Sequence, residues 1–129
     1  MVAEVKAMRA GGGGATVNTS SIGSLGANPA LSAYGATKRA LNSLTETAAV
    51  TYGAEGIRVN AIAPGATLTE MMQQWETATP GVIAQLVGTT PLGRAAEPAE
   101  VAEAAAWLLS DRASYVTGVV LRVDSGAQV

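Results

Sequence analysis

Residues 15–65 read ATVNTSSIGSLGANPALSAYGATKRALNSLTETAAVTYGAEGIRVNAIAPG, and this stretch decides the fold. It begins with a short apolar run from Ala15 to Thr19, which predicts a strand. It ends with a β-branched and apolar run from Ile57 to Ala63, which is typical of strands buried in parallel sheets. Between them, residues 32–52 predict a long helix. A strand, a helix and a strand in this order indicate parallel strands joined by a right-handed crossover.

The central helix has recognisable ends. Ser32 is the expected N-cap, and Gly53 follows the last helical residue. Small and apolar residues fall at core spacing and predict a buried face, which comprises Gly35, Ala36, Ala40, Leu41, Leu44 and Ala48.

The flanking segments continue the alternation of strands and helices. Residues 1–10 predict the last turns of a helix, and the glycine run Gly11 to Gly14 ends it. Because no Gly-Lys-Ser/Thr follows that run and a strand comes next, it is a turn and not a phosphate-binding loop. Pro98 opens another helix, and residues 119–123 predict a closing strand. The chain thus predicts an α/β fold with about three parallel strands and flanking helices.

Residues 68–93 show only weak helical pieces, which Pro80-Gly81 and Pro91 interrupt. Such a segment suits a mobile lid over a substrate. It equally suits a surface helical hairpin whose Met and Trp side chains fill the core. The sequence leaves both interpretations open.

Composition excludes several classes of function. The 129 residues are 48% hydrophobic, which suits one domain with an ordinary core. A net charge of −2, with the basic residues scattered, argues against nucleic-acid binding. The chain has no Cys and no His, so zinc chemistry, disulfides and a Ser-His-acid triad are excluded, and no metal site is predicted.

Nothing in the sequence predicts a membrane segment. The amino-terminal residues lack the apolar core of a signal peptide, and no run reaches the ~20 apolar residues of a membrane span. We therefore expect a cytoplasmic protein.

Three residues form a candidate catalytic group. Ser21 follows the first predicted strand, so it lies at the carboxyl edge of the sheet, where open α/β folds bind ligands. Tyr34 and Lys38 are four residues apart on the predicted helix and therefore share one face. A phenol is a poor base at neutral pH unless nearby positive charge stabilises the phenolate. Lys38 and the helix amino end both supply such charge.

These residues belong to a set of motifs that resembles the short-chain dehydrogenase/reductase family over nearly the whole chain. The motifs are Asn18-Thr-Ser-Ser21, Tyr34-Gly-Ala-Thr-Lys38, Arg58-Val-Asn-Ala-Ile-Ala-Pro-Gly65 followed by Thr69, and Ser114-Tyr-Val-Thr-Gly118 with Asp124-Ser-Gly126. The last triplet departs from the family's usual Asp-Gly-Gly. The resemblance implies one half, the carboxyl-terminal half, of a Rossmann-like doubly wound parallel sheet.

The resemblance also implies an activity. The family interconverts alcohols and ketones or aldehydes with NAD or NADP, and Tyr34 is the implied acid/base. Lys38 would stabilise the phenolate and bind the nicotinamide ribose, and Ser21 would hydrogen-bond the substrate oxygen. The implied cofactor-binding residues are Tyr34, Lys38, Pro64, Gly65, Thr67 and Thr69. Arg58 and Asn60 are interpreted as structural.

Family members are roughly twice as long, and their Gly-rich cofactor turn lies in an amino-terminal half that has no counterpart here. We therefore expect residues 1–129 to be a partial NAD(P)-binding Rossmann-like domain, truncated to its catalytic half and with an incomplete cofactor site. The family's catalytic Asn also has no counterpart. The resemblance further implies a small-molecule alcohol or carbonyl substrate and a homo-oligomer, paired partly through the central helix.

Two alternatives compete with this prediction. The first is a non-catalytic remnant that acts, if at all, by subunit pairing with a full-length relative. The second is a hydrolase with Ser21 as nucleophile and Lys38 as base, which leaves Tyr34 and the segment from Pro64 to Thr69 unexplained.

Overall fold

The computed structural model describes residues 1–27, 31–88 and 90–129. Helices and strands alternate in the order α1 (Val2–Gly11), β1 (Gly14–Thr19), α2 (Ser32–Tyr52), β2 (Ile57–Pro64), α3 (Glu70–Ala78), α4 (Val82–Val87), α5 (Pro98–Leu109) and β3 (Val120–Val123). Three-residue 3-10 turns follow β1, α2 and α5. The predicted α/β fold with three strands and flanking helices is confirmed.

The three strands form one parallel sheet in the order β1-β2-β3. In the register, Val17 pairs with Asn60, and Ile62 pairs with Leu121. β2 is the central strand and is almost wholly buried, which agrees with its mainly β-branched and apolar sequence. Because the strands are parallel, their carboxyl ends meet at one edge of the sheet.

The hydrophobic core lies between β2 and the first two helices. Its cluster consists of Val5, Ala48, Ala49, Ile57 and Val59, with Met1, Met8 and Tyr52 packed around it. The small Ala48 and Ala49 side chains let α2 pack closely against the strand.

The glycine run forms a tight turn at the amino edge of the sheet. Gly12 adopts a left-handed conformation with φ 81° and closes α1. A Cβ on Gly13 would lie 2.9 Å from the carbonyl oxygen of Gly56, so this contact requires glycine. The turn interpretation of these glycines is therefore confirmed.

Two details of α2 differ from the prediction. Ser32 is the first helical residue and not the N-cap, because the amide N–H of Gly35 already donates to the Leu31 carbonyl oxygen, which makes Leu31 the cap. The predicted apolar face was also wrong in part, since Leu44 is 57% exposed and Ala36 and Ala40 are exposed as well. The helix turns Asn42, Thr45, Ala48 and Ala49 toward the sheet instead, and the two polar side chains find hydrogen-bond partners there.

Arg58 and Asn60 hold the segment between α5 and β3 against the central strand. The Arg58 guanidinium donates to the carbonyl oxygens of Leu108 at 2.7 Å and Ser110 at 3.0 Å, where α5 ends. The Asn60 amide is fully buried and bonds the main chain at Val116 and Val119. All of these bonds go to main-chain groups, which supports the structural interpretation of both residues.

Within the described part of the chain, no helix is both long and apolar enough to cross a membrane.

Candidate active site

The site is built at the carboxyl edge of the sheet, where the ends of all three strands lie side by side. The Ser20 amide N–H donates to the Ile62 carbonyl oxygen at 2.8 Å, which holds the end of β1 against β2. The Gly65 amide N–H donates to the Val123 carbonyl oxygen at 3.0 Å, which holds the end of β2 against β3. Ligands of open α/β sheets bind at this edge.

Ser21 caps the 3-10 turn Ile22–Ser24 that follows β1. Its hydroxyl oxygen accepts a hydrogen bond from the Gly23 amide N–H at 3.1 Å. A hydroxyl has one donor hydrogen and two acceptor positions. The bond from Gly23 thus fixes the rotamer and leaves the Ser21 hydrogen available for an oxygen of a ligand.

Tyr34 is the third residue of α2, so its ring lies in the first helical turn. The side chain is 42% exposed, and the Lys38 ammonium lies 5.7 Å from the ring centroid. This is within the range of an attractive cation–π contact. The placement of Tyr34 and Lys38 on one face of the helix agrees with the prediction from their spacing.

Lys38 also reaches the neighbouring strand. Its Nζ donates a hydrogen bond of 2.8 Å to the carbonyl oxygen of Thr19, the last residue of β1. An ammonium group has three donor hydrogens, so two remain for other partners. The structure therefore brings Lys38 to the strand end that precedes Ser21, and the same ammonium lies near the Tyr34 ring.

The turn after β2 approaches β3 very closely. A Cβ on Gly65 would lie 3.0 Å from Asp124 Cα and 3.2 Å from Asp124 Cβ. Pro64 ends β2 just before this point. Glycine at position 65 thus lets the main chain turn along the ligand edge without displacing β3.

Thr67 and Thr69 lie in the segment that follows this turn. The Thr67 hydroxyl donates to the Gly65 carbonyl oxygen at 3.1 Å, and among the described residues the Thr67 amide N–H has no hydrogen-bond acceptor. The Thr69 hydroxyl oxygen accepts from the Met72 amide N–H and caps α3. That bond does not consume the Thr69 hydroxyl hydrogen. Capping and ligand binding are therefore compatible at Thr69.

Sequence reasoning overlooked a buried polar cluster beneath Ser21, formed by Ser20, Ser24 and Asn42. Asn42 lies four residues after Lys38 and eight after Tyr34, so it falls on the same face of α2 as those two residues. The two serines bond each other locally, but their bonds to Asn42 and to the Lys38 carbonyl oxygen join them to α2, which no local pattern marks.

A cavity of about 220 Å³ opens beside the 3-10 turn and the start of α2. It is lined by Gly23, Gly26, Ser32, Gly35, Ala36 and Arg39. Ser21, Tyr34 and Lys38 are not among its lining residues. The helices α3 and α4 form a separate helical hairpin beyond Thr69. The described residues contain no cluster of three or more acidic side chains that could hold a metal ion.

The donor groups at this edge fit the nicotinamide end of a dinucleotide. They include an ammonium with spare hydrogens at Lys38, an amide N–H at Thr67 and a hydroxyl at Thr69. Such groups match the hydroxyl, carboxamide and phosphate oxygens of that end. Ser21 caps the turn that follows β1, and Tyr34 lies in the first turn of α2.

Comparison with known proteins places these features in one family. A family model described as Enoyl-(Acyl carrier protein) reductase matches residues 1–128. The A-factor type gamma-butyrolactone 1'-reductase (1S-forming) of Streptomyces virginiae is 53% identical over 124 residues, which cover 95% of this chain and 48% of that protein. The chain thus spans about half the length of this curated relative.

Two solved structures show the same fold. One is a short chain dehydrogenase/reductase family protein, with a TM-score of 0.87 and 42% identity over 97% of this chain and 50% of that one. The other is a 7 alpha-hydroxysteroid dehydrogenase complexed with NADH and 7-oxo glycochenodeoxycholic acid. It has a TM-score of 0.85 and 34% identity over 92% of this chain and 46% of that one.

Proposed function

The chain belongs to the short-chain dehydrogenase/reductase family, and from this we propose that it carries the catalytic residues of an NAD(P)(H)-dependent oxidoreductase. Its substrate would be a small-molecule alcohol or the corresponding ketone or aldehyde. Residues 1–129 would then form the catalytic part of a Rossmann-like NAD(P)-binding domain. The single observation that carries this proposal is the placement of the Lys38 ammonium between the Tyr34 ring and the end of β1.

Tyr34 is the acid/base in this proposal. In alcohol oxidation its phenolate oxygen takes the hydroxyl proton, and in carbonyl reduction its phenol returns a proton to the oxygen. The Lys38 ammonium lies 5.7 Å from the Tyr34 ring centroid, and the ring lies in the first turn at the amino end of α2. The ring is partly exposed, which gives a substrate access to the phenol oxygen.

Ser21 orients the substrate. Because the Gly23 amide holds the Ser21 oxygen, the hydroxyl hydrogen is directed to a partner outside the turn. A substrate oxygen that gains negative charge during reduction would accept this hydrogen bond, and the bond would strengthen as the charge develops.

The chain's own residues would hold the cofactor at its nicotinamide end. Lys38 would donate to ribose hydroxyls with the hydrogens not used by Thr19, and Pro64 and Gly65 would shape the turn beside the ring. The Thr67 amide and the Thr69 hydroxyl would donate to the carboxamide and a nearby phosphate. When bound, the nicotinamide supplies or accepts the hydride. The NADH in the hydroxysteroid dehydrogenase structure supports this class of cofactor.

The α3–α4 hairpin is proposed as a cover for the substrate. Met71 is 74% exposed and Trp75 is 42% exposed, on one side of α3 at a spacing of four residues. Apolar side chains with no core role at this position can contact the apolar part of a substrate.

A hydride-transfer assay tests the proposal, with NADH and NADPH and a panel of cyclic ketones. Tyr34→Phe should lower kcat at least about 100-fold, the typical minimum contribution of a general acid/base. Tyr115→Phe is the matched control, because the same oxygen is removed from a fully exposed ring. Equal activity of the two variants would contradict the assignment of Tyr34.

A second candidate function is subunit pairing, which the exposed side of α2 favours. Ala36, Ala40 and Leu44 recur every four residues on this side, and all three are exposed. Small residues let a second helix approach closely, and Leu44 supplies apolar area. We propose that a homo-oligomer forms through this side of the helix.

A further inference from the structure

A buried polar cluster lies between the end of β1 and the helix face that carries Tyr34 and Lys38. Ser20 is 3% exposed, Ser24 is 2% exposed and Asn42 is 8% exposed. Ser20 and Ser24 come from the strand end and its 3-10 turn, whereas Asn42 comes from the middle of α2. The cluster therefore joins two elements that each carry a proposed catalytic residue.

One path of hydrogen bonds in the cluster runs from the helix to Ser21. The Ser20 hydroxyl donates in the opposite direction, to the Lys38 carbonyl oxygen at 3.4 Å, and Arg39 Nε donates to the Ser24 carbonyl oxygen at 2.9 Å. Asn42 Nδ2 donates to Ser24 Oγ at 2.8 Å, and Ser24 Oγ donates to the Ser21 carbonyl oxygen at 2.6 Å. The Ser24 amide N–H donates to the same carbonyl oxygen at 3.0 Å. The Ser20 hydroxyl oxygen lies 3.2 Å from Ser24 Oγ. The Ser21 main chain is thus held by Ser24, and Ser24 is oriented by Asn42.

Packing alone does not account for an asparagine at position 42. Among the described residues, no group donates to the buried Asn42 Oδ1. A buried polar atom without a partner is destabilising, and an apolar side chain of similar size would avoid this cost. An apolar side chain could not supply the amide N–H that Asn42 donates to Ser24 Oγ.

We propose that Asn42 is a positioning residue for Ser21, which acts through the Ser24 hydroxyl. Tyr34, Lys38 and Asn42 recur every four residues, so one helix face would carry the acid/base, its ammonium neighbour and the group that fixes the substrate-orienting serine. This inference rests on the proposed function, because Ser21 has a substrate to orient only in an oxidoreductase.

Amide hydrogen exchange followed by NMR tests the inference without requiring turnover. In Asn42→Leu, the Gly23 and Ser24 amides should exchange about tenfold faster than in the wild type, as expected for the loss of one buried hydrogen-bond link. The Gly65 amide, which bonds Val123 on the other side of the sheet, should be unchanged. Thr45→Val is the matched control, since it removes a fully buried hydroxyl from the same helix that does not contact Ser24.

The expected result is faster exchange at Gly23 and Ser24 in Asn42→Leu but not in Thr45→Val. Equal acceleration in both variants, or none in Asn42→Leu, would overturn the inference. If Asn42→Leu fails to fold, Ser24→Ala breaks the same link and must show the same local acceleration. A chain with this exchange pattern but no hydride transfer would contradict the proposed function and leave the positioning of Ser21 supported.

Discussion

Lys38 Nζ donates a hydrogen bond of 2.8 Å to the carbonyl oxygen of Thr19, which ties the second turn of α2 to the carboxyl end of β1. The same ammonium lies 5.7 Å from the Tyr34 ring centroid. One side chain thereby fixes the distance between the helix that presents the phenol and the strand that delivers Ser21. The arrangement of Tyr34, Lys38 and the end of β1 therefore depends on a contact between α2 and β1.

The turn at Gly65 leaves little room for a side chain. Gly65→Ala would force a Cβ to within 3.0 Å of Asp124 Cα, and we expect a loss of about 1–3 kcal/mol in the free energy of unfolding, as for other overpacked sites. Gly53→Ala is the matched control, since Gly53 has helical φ −57° and no atom lies within 4 Å of the position that its Cβ would occupy. That variant should gain up to about 1 kcal/mol.

Urea unfolding followed by circular dichroism measures both variants under the same conditions. A Gly65→Ala variant as stable as Gly53→Ala would show that β3 can move away from this turn. The close approach of β2 and β3 at the ligand edge would then not be fixed by the glycine.

The α3–α4 hairpin should depend on the charge of Glu76. Its carboxylate accepts hydrogen bonds from the amide N–H groups of Ile83 and Gly81, and these bonds hold the pKa of Glu76 below its usual value. A carboxyl group with a lowered pKa in the folded state stabilises that state above its unfolded pKa. This contribution is lost as the pH falls through the folded pKa.

Thermal unfolding of Glu76→Gln at pH 7 and at pH 2 tests this dependence. At pH 7 the variant should melt lower by on the order of one or two degrees, because the site is exposed and well screened. At pH 2 the difference from the wild type should shrink. Glu46→Gln, an exposed change on α2, serves as the control. The same difference at both pH values would contradict a stabilising role for the Glu76 charge.

The exposed side of α2 should control the oligomeric state. Leu44→Glu places a charge among Ala36 and Ala40, and we expect its mass by light scattering to shift from that of an oligomer toward that of a monomer. Leu92→Glu is the control, since Leu92 is 69% exposed but lies outside α2. Equal masses for the wild type and Leu44→Glu would rule out pairing through this side.

The strands and helices could be predicted from the sequence because each depends on a local pattern. The β-branched run that became β2, the proline that opens α5 and the glycines that close α1 and α2 all carry their structural reason within a few residues. The spacing of Tyr34 and Lys38 likewise predicted their common face, because helical geometry alone determines it.

What could not be predicted depends on contacts between distant segments. Asn42 and Thr45 were not among the residues predicted for the buried face of α2, yet both are buried, because Ser24 and Asn18 supply their partners. Ser32 was predicted as the N-cap of α2, but the first helical hydrogen bond is accepted by the Leu31 carbonyl oxygen, so Leu31 is the N-cap. The contact of Lys38 with Thr19 also joins residues far apart in sequence, and no local pattern encodes it.

Calorimetric titration of the chain with NADH and with NADPH tests the central claim most directly, with Lys38→Met measured beside the wild type. Circular dichroism should first show that both chains are folded. We expect saturable binding of at least one of the two cofactors. In Lys38→Met the affinity should fall at least about tenfold, the order expected when a charge-assisted hydrogen bond is lost. A folded wild-type chain that binds neither cofactor, or a Lys38→Met variant that binds as tightly as the wild type, would contradict it.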